Sequence, residues 1–240
     1  MNKKTFLVGL VVSFALLSGC STSSKLAVRP EIISKINTVA LIKVPEPEAY
    51  VASDLGSPGM MLGGIGGAIA GASSANAGKN LQQITQESGF TAGERLTLSL
   101  QEHLTKAGYK VTLVTSQREN PGKLHKSYEK IDDGGADAIM DVAIEKIGYA
   151  TEHPMFSPHW RPASTVHVTL VDSRTKKTLY SEKFMYGYHN PFMSGTDLEA
   201  SGFYHFKNKD AMFSDSNKLV AGMEHSVVSV SRKVSRNLSK

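Results

Sequence analysis

Apolar positions along the chain fall into short runs of two different periods, and these runs place most of the regular structure. Val39-Ala40-Leu41-Ile42-Lys43-Val44 is β-branched and apolar between Asn37 and the pair Pro45 and Pro47, which predicts a mostly buried first strand closed by prolines. Leu96, Leu100 and Leu104 recur every four residues. They follow Thr91-Ala92-Gly93-Glu94, which has capping-box spacing, and precede Gly108, a fitting C′ residue. A helix with one face in the core is expected there. Tyr109, Val111 and Leu113 then alternate with Lys110 and Thr112, so a strand follows and a βαβ unit is implied.

Lys123 to Asp133 is polar and predicts a short helix ended by Gly134 and Gly135. From Ala138 to Ile147, Met140, Val142 and Ile144 alternate with Asp141 and Glu145, the pattern of a strand with one wet face. Val166, Val168 and Leu170 alternate with Thr165, His167 and Thr169, and the polar stretch Asp172 to Lys177 turns into Leu179 to Tyr188, predicting a β-hairpin. Finally, Leu219, Met223, Val227, Val230, Val234 and Leu238 run at helical spacing from an Asp215 or Ser216 start, giving a terminal helix over 215–238 that packs on the sheet. The expected fold is α/β (α+β), a small mixed sheet with helices packed on it, forming a single domain over residues 35–240.

Two segments break this pattern. Residues 55–78 carry no charge, and Gly59, Gly63, Gly67 and Gly71 fall every four residues with Ala75 in register. In a helix that spacing lines up a bare backbone ridge against which a second helix can close, and 24 helical residues would be about 36 Å long. Glycine disfavours the helix by roughly 1 kcal/mol per residue relative to alanine. The segment therefore reads either as a weakly helical loop lying on the domain or another copy, or as an oligomer or membrane contact. The spacing resembles a glycine zipper.

The other segment is the start. Met1 to Lys4 is basic, Phe6 to Leu17 is apolar, and Leu17-Ser18-Gly19-Cys20 closes the run with small residues, the three-part layout of an export leader over residues 1–19. In detail it resembles the bacterial lipoprotein signal, with Leu17, Ser18 and Gly19 as the recognition residues and Cys20 as the lipidation site. The resemblance implies a covalent diacylglyceryl group on sulfur and a further acyl chain on the amino group of Cys20. At about 0.8 kcal/mol per buried CH₂, those chains hold a protein on a membrane without any spanning helix. Ser21 stands where that family's inner-membrane retention signal has Asp, which implies the periplasmic leaflet of the outer membrane, with surface exposure also open. Residues 20–34 would be the lipidated cysteine and a tether.

Composition adds exclusions. The chain has 240 residues with 27 Lys+Arg against 22 Asp+Glu and one Cys. From Cys20 on it carries 25 basic and 22 acidic residues, a balance of +3, because Lys3 and Lys4 lie in the leader. No clustered basic footprint for nucleic acid is visible, and one cysteine forms neither an internal disulfide nor a Cys-x-x-Cys zinc pair. His153, His159 and His189 match no compact ligand spacing, His103 and His167 read as surface residues, and no metal or cofactor beyond the lipid is expected. Asp132 with Asp133, and Asp141 with Glu145, are spaced as solvated faces. No nucleophile elbow or phosphate loop is present, so no catalytic residue is assigned and no enzyme is expected. Between Trp160 and Phe213, Tyr186, Tyr188, Phe192, Phe203, Tyr204, Phe206 and Phe213 crowd around loops with His189 and His205, either as a partner surface or as filling for a second core.

The order of elements has its own resemblance. Val39 to Val44, Glu94 to Val114, Gly135-Ala136-Asp137-Ala138, and Val168 to Asp172 followed by Lys177 to Ser181 are similar to the small α/β domain of CsgG-type and TolB-N-terminal-like envelope lipoproteins. That resemblance implies a non-enzymatic periplasmic module for envelope assembly or interaction, with an envelope protein or itself as partner and the membrane reached through the lipid. The alternative is a homo-oligomeric secretion or pore component that uses residues 59–75 in or at the membrane.

Overall fold

The computed structural model describes Leu26 and residues 29–54, 71–151, 159–188 and 194–240. Leu17, Ser18, Gly19, Cys20, Gly59, Gly63, Gly67, His153, His189 and Phe192 lie outside the described residues. In chain order the elements are α1 (Pro30–Ile33), β1 (Thr38–Ile42), β2 (Val51–Asp54), α2 (Gly71–Ser88), α3 (Ala92–Lys106), β3 (Lys110–Val114), β4 (Ala138–Thr151), β5 (Arg161–Asp172), β6 (Thr178–Tyr186), β7 (Thr196–Leu198), a 3₁₀ turn Gly202–Tyr204, α4 (Lys209–Ser214) and α5 (Ser216–Asn237). The strands make one seven-stranded mixed sheet ordered β3-β1-β4-β5-β6-β7, with β2 also on β4. β1 lies parallel between β3 and β4, while β4, β5 and β6 are antiparallel neighbours, so the expected mixed α/β sheet is present.

The leucine repeat of α3 does what its period demands. Leu96, Leu100 and Leu104 are fully buried, each such side chain contributing about 1.5–3 kcal/mol. Gly108, at φ +92°, reverses the chain after α3; its N–H donates to the Thr105 carbonyl and the Tyr109 N–H to the Leu104 carbonyl, the paired bonds of a Schellman end. At the other end the expected capping box is not made. Thr91 Oγ1 bonds the Glu94 carboxylate, and the N–H groups of Ala92 and Gly93 donate instead to Glu46 of the β1–β2 connection at 3.2 and 2.9 Å. A carboxylate from a distant segment satisfies both orphan donors and sits at the positive end of the helix. Gly93 is required by this approach, because a Cβ there would lie 2.5 Å from the Val44 carbonyl oxygen.

α5 starts after Asp215, whose side chain accepts the Lys218 N–H at 3.0 Å, and buries the whole stripe from Leu219 to Leu238 against the sheet. α3 and α5 pack side by side through small residues: the hydroxyls of Ser99 and Ser231 are 2.6 Å apart, and Ser235 donates to the His103 carbonyl at 2.9 Å. Gly71 is the first residue of α2, so residues 71–78 of the glycine-rich stretch form the opening turns of a helix that continues to Ser88. Ala77, Leu81 and Thr85, four apart, are its buried face.

Two expectations are corrected on the opposite face of the sheet. Residues 123–133 form no helix; the stretch between β3 and β4 is an irregular segment laid over the strands. It carries Tyr128, Ile131 and Ala136 onto a second cluster of Ala40, Ile42, Ile139 and Val171. The face of β4 expected to be wet is therefore covered, and Asp141 is fully buried. The simple alternation also fails beyond Ile144, where a bulge shifts the register, puts Glu145 outside and returns Ile147 and Tyr149 to the helical side. On β5, Thr165 and Thr169 are likewise buried, since a central strand has covered faces on both sides.

Candidate functional site

Strand registers sort the connections onto two ends of the sheet. Asp54 pairs Thr151, Ala150 pairs Arg161 and Ser164 pairs Tyr186, so the chain leaves β2, β4 and β6 and enters β5 at one end. The starts of β1, β3, β4 and β6 and the last turn of α5 share the other, where the Tyr109 hydroxyl donates to the Leu238 carbonyl at 2.5 Å.

The first end holds most of the aromatic residues expected between Trp160 and Phe213. Trp160 and Phe206 exchange backbone hydrogen bonds at 2.7 and 2.8 Å, and Phe206 packs on Tyr149. Trp160, Tyr186 and Phe206 are buried, so this part of the cluster fills the core. Tyr186 reaches His225 of α5 at 2.8 Å, and the Tyr204 ring lies tilted against the same imidazole, the ring centroids 5.1 Å apart. Phe203, in the 3₁₀ turn, is different: it is 75% exposed. Lys218 lies 5.9 Å from its ring and 4.6 Å from that of Phe206, and Lys209 sits 5.0 Å from the Trp160 ring. His205 is held below the usual imidazole value by burial and then by Arg161, His159 and Lys218, with Glu199 opposing the shift. An exposed aromatic with flanking cations is an arrangement suited to binding.

At the second end a cleft of about 550 Å³ is lined by Ile32, Lys35, Ile36, Asp133, Asp137 and Asp172. Its carboxylates are committed to the backbone. Asp137 accepts the N–H groups of Asn37 and Thr38 at 2.8 and 2.9 Å, and Asp172 accepts those of Thr175 and Arg174 at 2.6 and 3.1 Å. Those bonds hold both carboxyls below their ordinary range. They lock turns. Asp133, paired to Lys176 at 3.2 Å, does the same between two loops.

Two buried polar clusters were not legible as such. Asp141, expected on a solvated face with Glu145, instead pairs with Arg118 and accepts the His125 N–H at 2.7 Å and the Tyr128 hydroxyl at 2.9 Å. A carboxylate in the middle of an otherwise apolar strand was the available signal. Its partners lie in a polar stretch without period. Glu182 of β6, also buried, accepts from Tyr180 at 2.6 Å, Asn237 at 2.9 Å and Thr196, tying β6, β7 and α5 together. The Glu182 cluster reads as structural, because its bonds hold three elements together, whereas in the Asp141 cluster Arg118 Nε and His125 Nε2 are buried without a hydrogen-bond partner among the described residues.

Of the remaining expected residues, His159 is exposed, His103 bonds its own helix through the Ser99 carbonyl, and His167 is half-buried on β5 with its proton affinity lowered by burial and by Lys183. Among the described residues no three His, Cys, Asp or Glu side chains are grouped to hold a metal, and no helix is long and apolar enough to cross a membrane.

No family model and no curated protein matches the chain. Several solved structures are similar to it, among them two of bacterial proteins. The PelC dodecamer from Paraburkholderia phytofirmans is 12% identical with a TM-score of 0.38, covering 90% of this chain and 96% of that one. Protein XCC0632 from Xanthomonas campestris, of the domain family DUF330, is 10% identical with a TM-score of 0.40, covering 85% and 84%. Neither likeness is deep enough to bear on what this chain does.

Proposed function

We propose that the chain is a bacterial envelope lipoprotein, held on the periplasmic face of the outer membrane by lipid on Cys20 and acting as a non-enzymatic assembly or interaction module. The observation that carries this is the order Leu17-Ser18-Gly19-Cys20 behind a basic and apolar start, since a thiolate at that position is what a lipid-transfer step needs. The βαβ unit and the similarity to CsgG-type and TolB-N-terminal-like domains support an interaction role. The exposed Phe203 between Lys218 and the buried aromatics is the surface that a protein partner would use. The test is intact mass and fractionation. The wild-type chain should begin at a triacylated Cys20 and float with outer membranes, whereas Cys20→Ala should keep residues 1–19 and leave that fraction; an unmodified Cys20 in the wild type overturns the proposal.

A second reading, self-association through the glycine register, has its own observation. Gly71, the last glycine of the series from Gly59 through Gly63 and Gly67, opens a helix, so the register runs into helical backbone. Gly63→Leu with Gly67→Leu should abolish any oligomer measured by light scattering in detergent. An unchanged mass removes this reading.

A further inference from the structure

Leu26 is fixed to the body of the domain. Its N–H donates to the Ser181 carbonyl at 3.0 Å and its carbonyl accepts the Ser181 N–H at 3.4 Å, adding it to the edge of β6. Only five residues separate it from Cys20, six steps along the chain, and a chain spans at most about 3.3–3.6 Å per residue, so an anchored Cys20 keeps Leu26 within roughly 20 Å of the bilayer surface. Whatever surface surrounds Ser181 is therefore close to lipid headgroups.

That surface is basic. Asn237 of α5 bonds Tyr180 and Glu182, the residues on either side of Ser181. One turn earlier on the same flank is Lys233, and Arg232 and Arg236 stand beside it, both exposed, with Lys240 beyond the helix end. The flank is fixed by His225 bonding Tyr186 of β6 two turns earlier still. After Glu224 the sequence holds no Asp or Glu. None of these four cations pairs with a carboxylate among the described residues; Lys240 bonds the Asn37 side chain and lies over the Tyr109 ring. The nearest acids are spent, Glu182 beneath Tyr180 and Asn237 and Asp137 on backbone N–H groups.

We infer that Arg232, Lys233, Arg236 and Lys240 at the end of α5 form a docking face for anionic phospholipid headgroups, pressed onto the same membrane that holds the Cys20 lipid. The inference rests on the anchoring proposed above and adds an orientation to it. Cationic side chains near an anionic surface each strengthen attachment, and salt screens the effect.

The test uses the processed full-length protein carrying Ser239→Cys labelled with an environment-sensitive dye, the Cys20 sulfur being blocked as a thioether. It is reconstituted into phosphatidylcholine vesicles with or without phosphatidylglycerol. The dye should shift to the blue and be quenched by headgroup-labelled lipid on phosphatidylglycerol vesicles alone, return in high salt, and lose the response in Arg232→Glu/Arg236→Glu. Binding of the docked state should fall at least about tenfold per reversed arginine. The milder Arg232→Gln/Arg236→Gln should fall between, and both variants should melt like the parent, because the positions are exposed. A response equal on both vesicles, one that survives charge reversal, or one that follows protein concentration and so reports a second copy, overturns the inference. The mass of the N-terminal peptide separates the two claims: an unmodified Cys20 sinks the anchoring and the orientation with it, whereas a lipidated Cys20 with a silent dye sinks the docking face alone.

Discussion

Gly222 of α5 shows how much one hydrogen atom in place of a side chain can decide. The Tyr149 hydroxyl sits against its Cα and donates to the Leu219 carbonyl at 3.2 Å, and a Cβ at Gly222 would overlap that oxygen, with the Tyr204 Cβ 3.1 Å away. Gly222→Ala should destabilise by about 1–3 kcal/mol in urea unfolding, as overpacking does. Tyr149→Phe in the same chain should recover part of the loss; a double variant no better than the single one would mean that the hydroxyl is not what collides. Buried charge sets a second residue-scale outcome. Arg118 and Asp141 have side chains 4% and 0% exposed, and burial lowers the proton affinity of Arg118 while Asp141 opposes it. Removing one partner leaves the other charge uncompensated, so Asp141→Leu or Arg118→Met alone should cost about 3–5 kcal/mol. Both together should cost clearly less than the sum. Additive losses in a double-mutant cycle would show that the two do not act as a pair.

At the scale of the element, α3 is held at its start by a residue 46 positions away from the first N–H it caps. Glu46 also accepts the Tyr50 hydroxyl, and burial together with that carboxylate pushes the Tyr50 phenol up and keeps it neutral. Glu46→Ala should destabilise by about 0.5–2 kcal/mol, the range of a lost helix cap, and amide exchange at Ala92 and Gly93 should speed up more than at Leu104. Equal protection at both ends would point to Thr91 as the working cap. The stretch between β3 and β4 makes the complementary point. Its polar composition suits a solvated helix as well as a loop, and the buried Asp141 selects the loop by taking the His125 N–H and the Tyr128 hydroxyl.

For the whole molecule, acid is the condition to which the structure is most exposed. His125, His205 and His225 are all held below the ordinary imidazole value by burial, with Asp141 opposing the shift at His125 and Arg232 adding to it at His225. Between the lowered folded value and about 6.5 the unfolded chain binds more protons, so stability is complete above that pH and is lost as pH falls below it. Asp137 and Asp172 are depressed, so their contribution persists to lower pH and fails only as the folded carboxyls protonate below about 3.9. Melting temperature should therefore fall in two stages, and His225→Gln should lessen the first, leaving the share of the other lowered imidazoles, without touching the second. A flat profile from neutral pH to the carboxylate range would show that these imidazoles titrate as they do in the unfolded chain.

Period alone determined α3, α5, the β5–β6 hairpin and the mixed α/β class, because each buries a single stripe or face whose spacing is set by the backbone geometry of its own element. Chain order at residues 1–20 likewise carries the lipidation reading, since a leader is recognised as sequence. Tertiary structure decided what depends on a neighbour. The wet face assigned to β4 became a buried one when residues 115–137 folded over it, the cap of α3 passed from Thr91 to Glu46, and Phe203 alone of the aromatic cluster's described members stayed strongly exposed. It also brought Leu26 and the basic end of α5 onto one edge of the sheet, two segments more than 200 residues apart whose shared position no local pattern encodes.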